Sequence, residues 1–362
     1  MVSKKTAFYE IHKSYNAKIV EFAGYEMPIQ YSSIIAEHKA VRNAVGVFDV
    51  SHMGEVFIRG EKALDFVQEI TTNDASKLTP GRVQYSAMCY PDGGIVDDLL
   101  VYCVSNEEYM LVVNASNLEK DFSWMNVNNS FGVEIVNESD EYSLLAVQGP
   151  DSKNVIQKIT DQDVNLEYYH FMKAKVAGVD MILSRTGYTG ELGYELYFKG
   201  DEAAAKQVWD ALFEAGKEFN IQPVGLGARD SLRLEMGFCL YGNDIDQTTN
   251  PLEAGLGWIT KLSKKSFIGK ESILKVKEEG LKRKLIPLLI DDKAFPRHGY
   301  EVVANGKKVG VVTSGTVSPI LEKGIALAYV ETEYAVEKSV INLLIRGKEV
   351  PSTVVRLPFL TR

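Results

Sequence analysis

The sequence predicts an α+β protein that ends in a small β-barrel. Between Gln84 and Asn114, strand-like runs separated by turns lead into a helix-like run, which is typical of an antiparallel meander followed by a helix. From Asp291 to Arg362, short strand-like runs are separated by turn residues such as Ala304-Asn305-Gly306, a pattern typical of a small barrel.

Composition and charge exclude several classes of protein. The chain has 362 residues, 45% hydrophobic and 25% charged, which is an ordinary globular composition with enough length for two or three domains. The formal net charge of -9 argues against a general nucleic-acid or anionic-membrane binder, because those partners favour clustered cations. An anionic ligand would therefore have to be bound by local arginines.

Cysteine, histidine and hydropathy patterns indicate the compartment. Three cysteines without CxxC and five histidines without HExxH predict neither a disulfide framework nor a zinc site, so we expect no metal. The first residues lack the apolar region of a secretory signal, and no run of 18 apolar residues occurs. We therefore expect a cytoplasmic protein.

The first 60 residues lead from a helical stretch into the run DVSHMGE, a short strand at Val56 to Arg59 and an amphipathic helix that follows Gly60. His52 lies inside DVSHMGE. We expect a structural role for it, because no serine, cysteine or acidic partner accompanies it in a recognisable nucleophile motif.

The run CYPDGGIVDDLLVY combines a tight turn with two adjacent carboxylates. Asp92-Gly93-Gly94 after Pro91 is hairpin-turn chemistry. Strand alternation sends Asp97 and Asp98 to opposite faces, and both faces are apolar from Leu99 onward. One carboxylate is therefore expected to point inward, where an unpaired charge costs several kcal/mol. Spacing alone leaves open whether the pair has a chemical role or only caps the strand entrance.

After the third strand of the meander, the residues from Ser116 to Glu119 match a capping box, in which the serine would begin a helix. Further strands are predicted at Val133 to Val136 and at Ser143 to Val147, followed by a helix after Gly149. A new structural unit is expected to begin in this region.

The segment from Leu183 to Phe198, LSRTGYTGELGYELYF, is rich in glycine. Its glycines flank Tyr188, and the backbone is expected to bend sharply enough to bring an aromatic ring and Glu195 close to a ligand. The same sequence is equally typical of an ordinary glycine-rich hairpin whose tyrosines bind no ligand.

The segment from Pro223 to Trp258 offers no nucleotide-binding motif. After Gly225 and Gly227, the third glycine of a dinucleotide fingerprint would fall at Asp230, and the preceding segment is helical. Arg229 could bind a carboxylate, carbonyl or phosphate of a ligand, or pair with Glu195. The charged stretch that follows at residues 275–284 is expected to be a boundary helix or linker.

Several runs in this order resemble the aminomethyltransferase family of the glycine cleavage system, the T-protein family. They are DVSHMGE, the CYPDGGIVDDLLVY hairpin, LAVQGP, SRTGYTGELGYE, GLGARDSLRLE, TNPLEAGLGW, PRHGYEV and TSGTVSP, and the resemblance extends from about Phe8 to Phe359. Eight ordered runs at family-like spacing are far more specific than any single motif.

The resemblance implies a three-domain cloverleaf around a central channel that holds tetrahydrofolate. Residues 1–50 plus about 138–275 would form a discontinuous first domain, residues 51–137 the second domain with the hairpin, and residues from about 285 to 362 the barrel. The implied reaction transfers the aminomethyl carbon from the lipoyl arm of the H-protein to tetrahydrofolate. Its products would be 5,10-methylenetetrahydrofolate, ammonia and dihydrolipoyl H-protein.

The resemblance also implies which residues act. The second aspartate of the DD pair, Asp98, takes the catalytic position, while Tyr188, Glu195 and Arg229 occupy positions associated with the folate. Further residues are expected to line the channel, namely Met53, Tyr85, Leu100, Val113, Asn114, Tyr168 and Trp258.

Two alternatives remain open at the level of sequence. One is another folate-dependent member of the superfamily, such as a demethylase or the T-like module of dimethylglycine or sarcosine oxidising enzymes. The other is a non-catalytic folate-binding protein of the iron–sulfur maintenance type. That type carries a KGCYxGQE-like run, whereas this chain reads GFCLYGNDIDQ around Cys239.

Overall fold

The computed structural model describes residues 3–291 and 294–361. Its helices are α1 (Tyr9–Ser14), α2 (Ile34–Asn43), α3 (Ala63–Ile70), α4 (Leu118–Val127), α5 (Ser152–Gln157), α6 (Glu202–Ala215), α7 (Leu226–Glu235) and α8 (Lys270–Glu279). The strands before the barrel are β1 (Lys18–Phe22), β2 (Tyr25–Gln30), β3 (Gly46–Asp49), β4 (Gly54–Arg59), β5 (Val83–Cys89), β6 (Ile95–Ser105), β7 (Glu108–Val113), β8 (Glu134–Asn137), β9 (Tyr142–Gln148), β10 (Phe171–Val176), β11 (Val179–Ser184), β12 (Gly193–Lys199) and β13 (Gln222–Pro223). The remaining strands are β14 (Arg283–Ile290), β15 (Glu301–Ala304), β16 (Lys307–Val317), β17 (Gly324–Glu331), β18 (Val340–Ile345) and β19 (Lys348–Val354).

The chain divides into two compact units, each assembled from several segments. Unit 1 comprises Met1–Val67, Ala75–Gln84 and Leu99–Asp230, and unit 2 comprises Gln68–Asp74, Tyr85–Asp98 and Ser231–Arg362. The three-domain boundaries expected from the sequence stay a prediction. None of the helices in the described ranges has the length and apolar character needed to cross a membrane.

The largest sheet of unit 1 has the strand order β10-β11-β12-β9-β3-β13. Strand β12 pairs antiparallel with β9, with Glu195 opposite Ala146. The apolar side chains of these strands form one core together with those of α5 and α6, including the fully buried Val147, Leu196 and Trp209. Burial of this apolar face supplies the main driving force for folding around the sheet.

A second sheet has the order β5-β6-β7-β4-β8, so the meander predicted between Gln84 and Asn114 is confirmed. The capping box predicted at Ser116 is wrong. The chain leaves β7 through a short 3-10 turn at Ala115–Asn117, so α4 begins at Leu118 with Asn117 as its N-cap residue and no side-chain cap bond. That extra turn moves the start of the helix past the serine.

The predicted C-terminal barrel is confirmed as a closed sheet in unit 2, with the order β14-β17-β16-β15-β18-β19. Its core includes Leu288, Val312, Ala328 and Leu343. At the predicted Asn305-Gly306 turn both residues have positive φ, 52° and 73°, as a type I′ hairpin requires. The charged stretch at 275–284 covers the end of α8, the residues that follow and the start of β14, all within unit 2. Its expected role as a boundary helix or linker stays a prediction.

The hairpin turn between β5 and β6 packs closely on another segment of unit 2. Gly93 has φ +89°, and its amide donates to the Tyr90 carbonyl. The Ile95 amide donates to the Asp246 carbonyl at 3.1 Å. A Cβ added to Gly94 would lie 2.0 Å from the Gln247 carbonyl oxygen, so this position requires glycine for close approach rather than for its own dihedral angles.

We predict that Gly94→Ala destabilises the protein by about 1–3 kcal/mol, because the added methyl group overlaps a backbone oxygen that cannot rotate away. Urea unfolding measures the change. Gly257→Ala is the matched control, since its added Cβ would meet Leu252 at an ordinary 3.5 Å. Equal stability of the two variants would contradict the close packing of this turn.

Candidate active site

The predicted site residues fall into two groups, one in each unit, and each group is described by itself. Unit 2 holds Tyr85, Asp98 and Trp258. Unit 1 holds Met53, Leu100, Val113, Asn114, Tyr168, Tyr188, Glu195 and Arg229.

In unit 2, the Asp98 carboxylate is held by a phenol from the neighbouring strand. Tyr85 Oη donates a hydrogen bond of 2.8 Å to Asp98 Oδ2. The Tyr85 ring also lies against the indole of Trp258, with 5.8 Å between ring centroids, and Trp258 itself is 61% exposed. Two packed aromatic rings therefore lie beside the carboxylate.

The two adjacent aspartates differ in burial, in agreement with strand alternation. Asp97 is fully buried, whereas Asp98 is half-buried. The thiol of Cys239 lies near enough for Asp98 to raise its pKa, after the larger effects of burial and of Asp244. Asp98 thus borders a poorly hydrated interior while keeping part of its surface open to a ligand.

In unit 1, Glu195 terminates a buried network of hydroxyl groups. Both hydrogen bonds that it accepts from the described residues, from Thr186 Oγ1 and from Tyr197 Oη at 3.2 Å, reach the same oxygen, Oε2. Tyr102 Oη lies 3.1 Å from Tyr197 Oη and 3.2 Å from Thr186 Oγ1. Oε1 of Glu195 therefore retains its capacity to accept hydrogen bonds from a ligand.

Arg229 and Tyr188 pack together close to Glu195. The guanidinium carbon of Arg229 lies 4.5 Å from the centroid of the Tyr188 ring, a cation–π contact. Burial raises the pKa of Glu195, while its two hydrogen bonds and the charge of Arg229 act in the opposite direction. The structure thus brings together the three residues that the sequence associated with one ligand.

The glycines around Tyr188 have a structural explanation that the sequence did not reveal. Added Cβ atoms at Gly187 and Gly193 would lie 2.2 Å and 2.3 Å from the side chain of the buried Gln148. Gln148 in turn accepts a hydrogen bond from Thr189 Oγ1 at 2.8 Å. Two of the glycines thus accommodate a buried amide under the loop, as well as letting the loop bend.

The remaining predicted lining residues differ in exposure. Val113 is fully buried and packs against Gly54, whereas Tyr168 is 54% exposed. Met53, Leu100 and Asn114 are half-buried, Met53 just before β4, Leu100 in β6 and Asn114 directly after β7. Tyr168 has the Arg185 guanidinium 6.0 Å from its ring centroid.

Glu55, a buried acid in β4, was not among the residues predicted from the sequence. Its two carboxyl oxygens have no hydrogen-bond partner among the described residues. Burial, together with the charge of Glu195, raises the pKa of Glu55 well above its usual range. The sequence pattern that could have identified it is an acidic residue two positions before Phe57, so that both side chains lie on the same face of a strand that is otherwise apolar and buried.

His52 is buried in the same unit, and its Nδ1 also has no partner within residues 3–291 and 294–361. Burial and the charge of Arg229 lower the pKa of His52 to about 4, with Asp49 acting in the opposite direction. The imidazole is therefore neutral at pH 7. Burial thus disfavours the charged forms of both Glu55 and His52.

The α+β architecture with its closed C-terminal barrel agrees with the fold that the sequence resemblance implies for the aminomethyltransferase family. A family model described as the GCVT N-terminal domain matches residues 8–264, and one described as the glycine cleavage T-protein C-terminal barrel domain matches residues 283–360. The chain belongs to the glycine cleavage T-protein family.

Relatives with this activity are similar over their whole length. An aminomethyltransferase of Halothermothrix orenii is 52% identical over 358 residues, covering 99% of this chain and 100% of the relative. One from Flavobacterium psychrophilum is 54% identical over 359 residues, covering 98% and 99%. The crystal structure of glycine cleavage system aminomethyltransferase T from Bartonella henselae superposes with a TM-score of 0.92 at 32% identity, covering 99% of this chain and 98% of that one. The predicted family and enzyme class are confirmed, and the two alternatives are not favoured.

We predict that Glu55→Gln gains stability relative to the wild-type protein as the pH rises. A carboxyl group whose pKa is raised by folding stabilises the native state while protonated, so its contribution is lost as the pH rises from the ordinary 4.5 through the raised value. Glutamine cannot ionise, and each pKa unit corresponds to about 1.4 kcal/mol. Urea unfolding between pH 4 and 8 measures the difference.

Glu134→Gln is the control for this experiment, because Glu134 is an exposed residue of β8 in the same unit. Its unfolding free energy should run parallel to that of the wild type across the pH range. If the Glu55→Gln curve also stays parallel, Glu55 is not the buried neutral acid inferred from its surroundings.

Proposed function

We propose that this enzyme transfers the aminomethyl carbon from the lipoyl arm of the H-protein to tetrahydrofolate. The products would be 5,10-methylenetetrahydrofolate, ammonia and dihydrolipoyl H-protein. The observation that carries the proposal is the half-buried Asp98 carboxylate fixed by the Tyr85 hydroxyl beside the exposed Trp258. We further propose that the reaction occurs in the cytoplasm, where the three buried free thiols would stay reduced.

The groups in unit 1 fit a folate. A pterin has neighbouring N–H donors along one edge, and Oε1 of Glu195 is oriented within a buried network without an internal donor of its own among the described residues. The Tyr188 ring offers an aromatic face that Arg229 already holds in place. Bound tetrahydrofolate would supply the two nitrogens that receive the one-carbon unit.

Asp98 is the proposed catalytic residue. Loss of ammonia and of the sulfur substituent makes the transferred carbon electron-poor, and a carboxylate with few surrounding waters stabilises such a developing positive charge strongly. The hydrogen bond from Tyr85 keeps Asp98 Oδ2 in one position and so orients the carboxylate. Asp98 could also accept a proton released during transfer.

The H-protein is the proposed partner. The chain carries a net charge of -9, so a large basic docking face is not expected. Recognition would instead depend mainly on entry of the lipoyl arm, with local lysines and arginines setting the orientation.

Asp98→Asn is predicted to lower turnover at least about 10²-fold, the usual effect of removing one electrostatic stabiliser of a transition state. Tetrahydrofolate affinity should change little. Ammonia release from aminomethyl-loaded H-protein measures turnover, and the ligand-induced rise in melting temperature reports binding.

The matched control is Asp97→Asn, which removes the fully buried neighbour and should act on stability. Near-normal ammonia release by Asp98→Asn would assign the chemistry to another residue. Absence of release by the wild-type protein, together with a clear melting shift on adding tetrahydrofolate, would indicate a folate binder without transferase activity.

Glu195→Gln is predicted to weaken tetrahydrofolate binding by about 1.5–3 kcal/mol, the usual worth of hydrogen bonds to a charged group. The glutamine side chain is uncharged, and its NH2 group would face the N–H donors of the pterin in place of an acceptor oxygen. Calorimetry measures the affinity. Asp180→Asn, an exposed charge on the neighbouring β11, is the control and should bind normally. Unchanged affinity in Glu195→Gln would make Glu195 a purely structural member of the hydroxyl network.

A further inference from the structure

Lys264 is a buried ammonium group whose three donors all reach backbone oxygens. Its side chain is 8% exposed, and Nζ donates to the carbonyls of Gln68, Thr71 and Asn73 at 2.7, 2.6 and 2.8 Å. An ammonium group has three N–H donors, so its hydrogen-bonding capacity matches this set of acceptors. One side chain thus fixes the course of Gln68–Asp74, the C-terminal end of α3 and the residues that follow it, which we name the Thr72 loop.

The Thr72 loop lies along β5 within unit 2. The Thr72 amide donates to the Ala87 carbonyl at 2.8 Å, and the Ala87 amide donates to Thr72 Oγ1 at 3.3 Å. Asn73 Nδ2 donates to the carbonyl of Tyr85 at 2.8 Å. The loop therefore sets the position of the strand residue whose hydroxyl group holds Asp98.

We propose that Lys264 is a positioning residue for Asp98, acting through the Thr72 loop and Tyr85. The proposal rests on the function assigned to Asp98 above. Lys264 touches none of the reacting atoms in this scheme. Its effect is to keep the Tyr85 hydroxyl at hydrogen-bond distance from the carboxylate, so that Asp98 stays oriented for transfer.

The protonation state of Lys264 matters to this arrangement. A neutral amine has two donors and a lone pair, so one of the three carbonyls would face the lone pair instead of a proton. Burial lowers the pKa of Lys264 to about 8, although the charges of Asp74 and Glu69 raise it. The only ring facing Nζ within the described residues is that of Phe267, 5.3 Å away, and it carries no charge.

The neighbourhood supplies a matched control. Lys265 is exposed and adjacent in sequence, so Lys265→Met removes a lysine from the same segment without touching the loop. Lys264→Met keeps the length of the buried side chain and removes all three donors. We expect Lys264→Met to lower kcat about tenfold at pH 7 with an unchanged KM for tetrahydrofolate.

The pH profile separates positioning from general structural damage. Wild-type kcat and that of Lys265→Met should fall as the pH rises through about 8, the value at which Lys264 loses its proton. In Lys264→Met this component of the profile should be absent. The proposal would be overturned if Lys264→Met had the same kcat as the wild type and if its kcat fell above about pH 8 in the same way.

A measurement without catalysis tests the same link and uses the intact wild-type chain. The ring 13C signals of Tyr85 should shift with an apparent pKa near 8 in the wild type and in Lys265→Met, because the ring responds to the loop. A signal that stays constant between pH 7 and 9 would overturn the proposal even if Lys264→Met failed to fold. A shifting signal in a protein without transferase activity would refute the proposed function of Asp98 and leave the link from Lys264 to Tyr85 established.

Discussion

A carboxyl group removed from water must be hydrogen-bonded, protonated or used by a ligand, and this constraint organises both units. Asp49, fully buried, has Oδ2 2.9 Å from His12 Nε2 and accepts from Thr6 and Ser51. Burial raises its pKa, but these partners outweigh burial and hold the pKa below the ordinary value. Glu55 has no such partner among the described residues, and its pKa is raised well above the ordinary value.

The same constraint explains why only some acids of unit 1 are suited to a ligand. Glu195 has two internal donors, both on one oxygen, and the charge of Arg229 favours its ionised form. Burial and the charge of Glu195 raise the pKa of Glu55, so ionisation of this second acid is disfavoured. His52 is neutral at pH 7, so the positive charge that acts on Glu195 is that of Arg229. A ligand with donors on one edge and an aromatic ring matches that arrangement.

The sequence predicted local chemistry well and long-range contacts poorly, for physical reasons. The PDGG turn, the alternation of Asp97 and Asp98, and the Asn305-Gly306 turn depend on neighbouring residues, and the structure contains all three. The roles of Asp98, Glu195 and Arg229 could be predicted only from the resemblance of several sequence runs, in their order, to a known family. Gln148 and Thr186 lie in a neighbouring strand and in the segment between β11 and β12, and no local pattern specifies that they meet the Tyr188 loop and Glu195. Glu55 and Lys264 look like ordinary surface charges until tertiary packing buries them.

Buried charged side chains in unit 2 hold neighbouring segments of the chain in place through hydrogen bonds. Arg233 donates to Asp244 Oδ2 at 2.7 Å and to Ser314 Oγ at 2.9 Å, while Asp244 also accepts from Thr313. Lys264 differs because its three hydrogen-bond acceptors are neutral carbonyls, while the carboxylates of Asp74 and Glu69 act on its charge without accepting a hydrogen bond from Nζ. The Arg233 network joins α7 to the Asp244 segment and to Ser314 and Thr313 of the barrel strand β16, so it fixes side chains against one another. The Lys264 ammonium instead fixes the backbone of the Thr72 loop, whose Asn73 side chain donates to the Tyr85 carbonyl. Burial lowers the pKa of Lys264 to about 8, so the group that holds this loop is also one that can lose its charge near neutral pH.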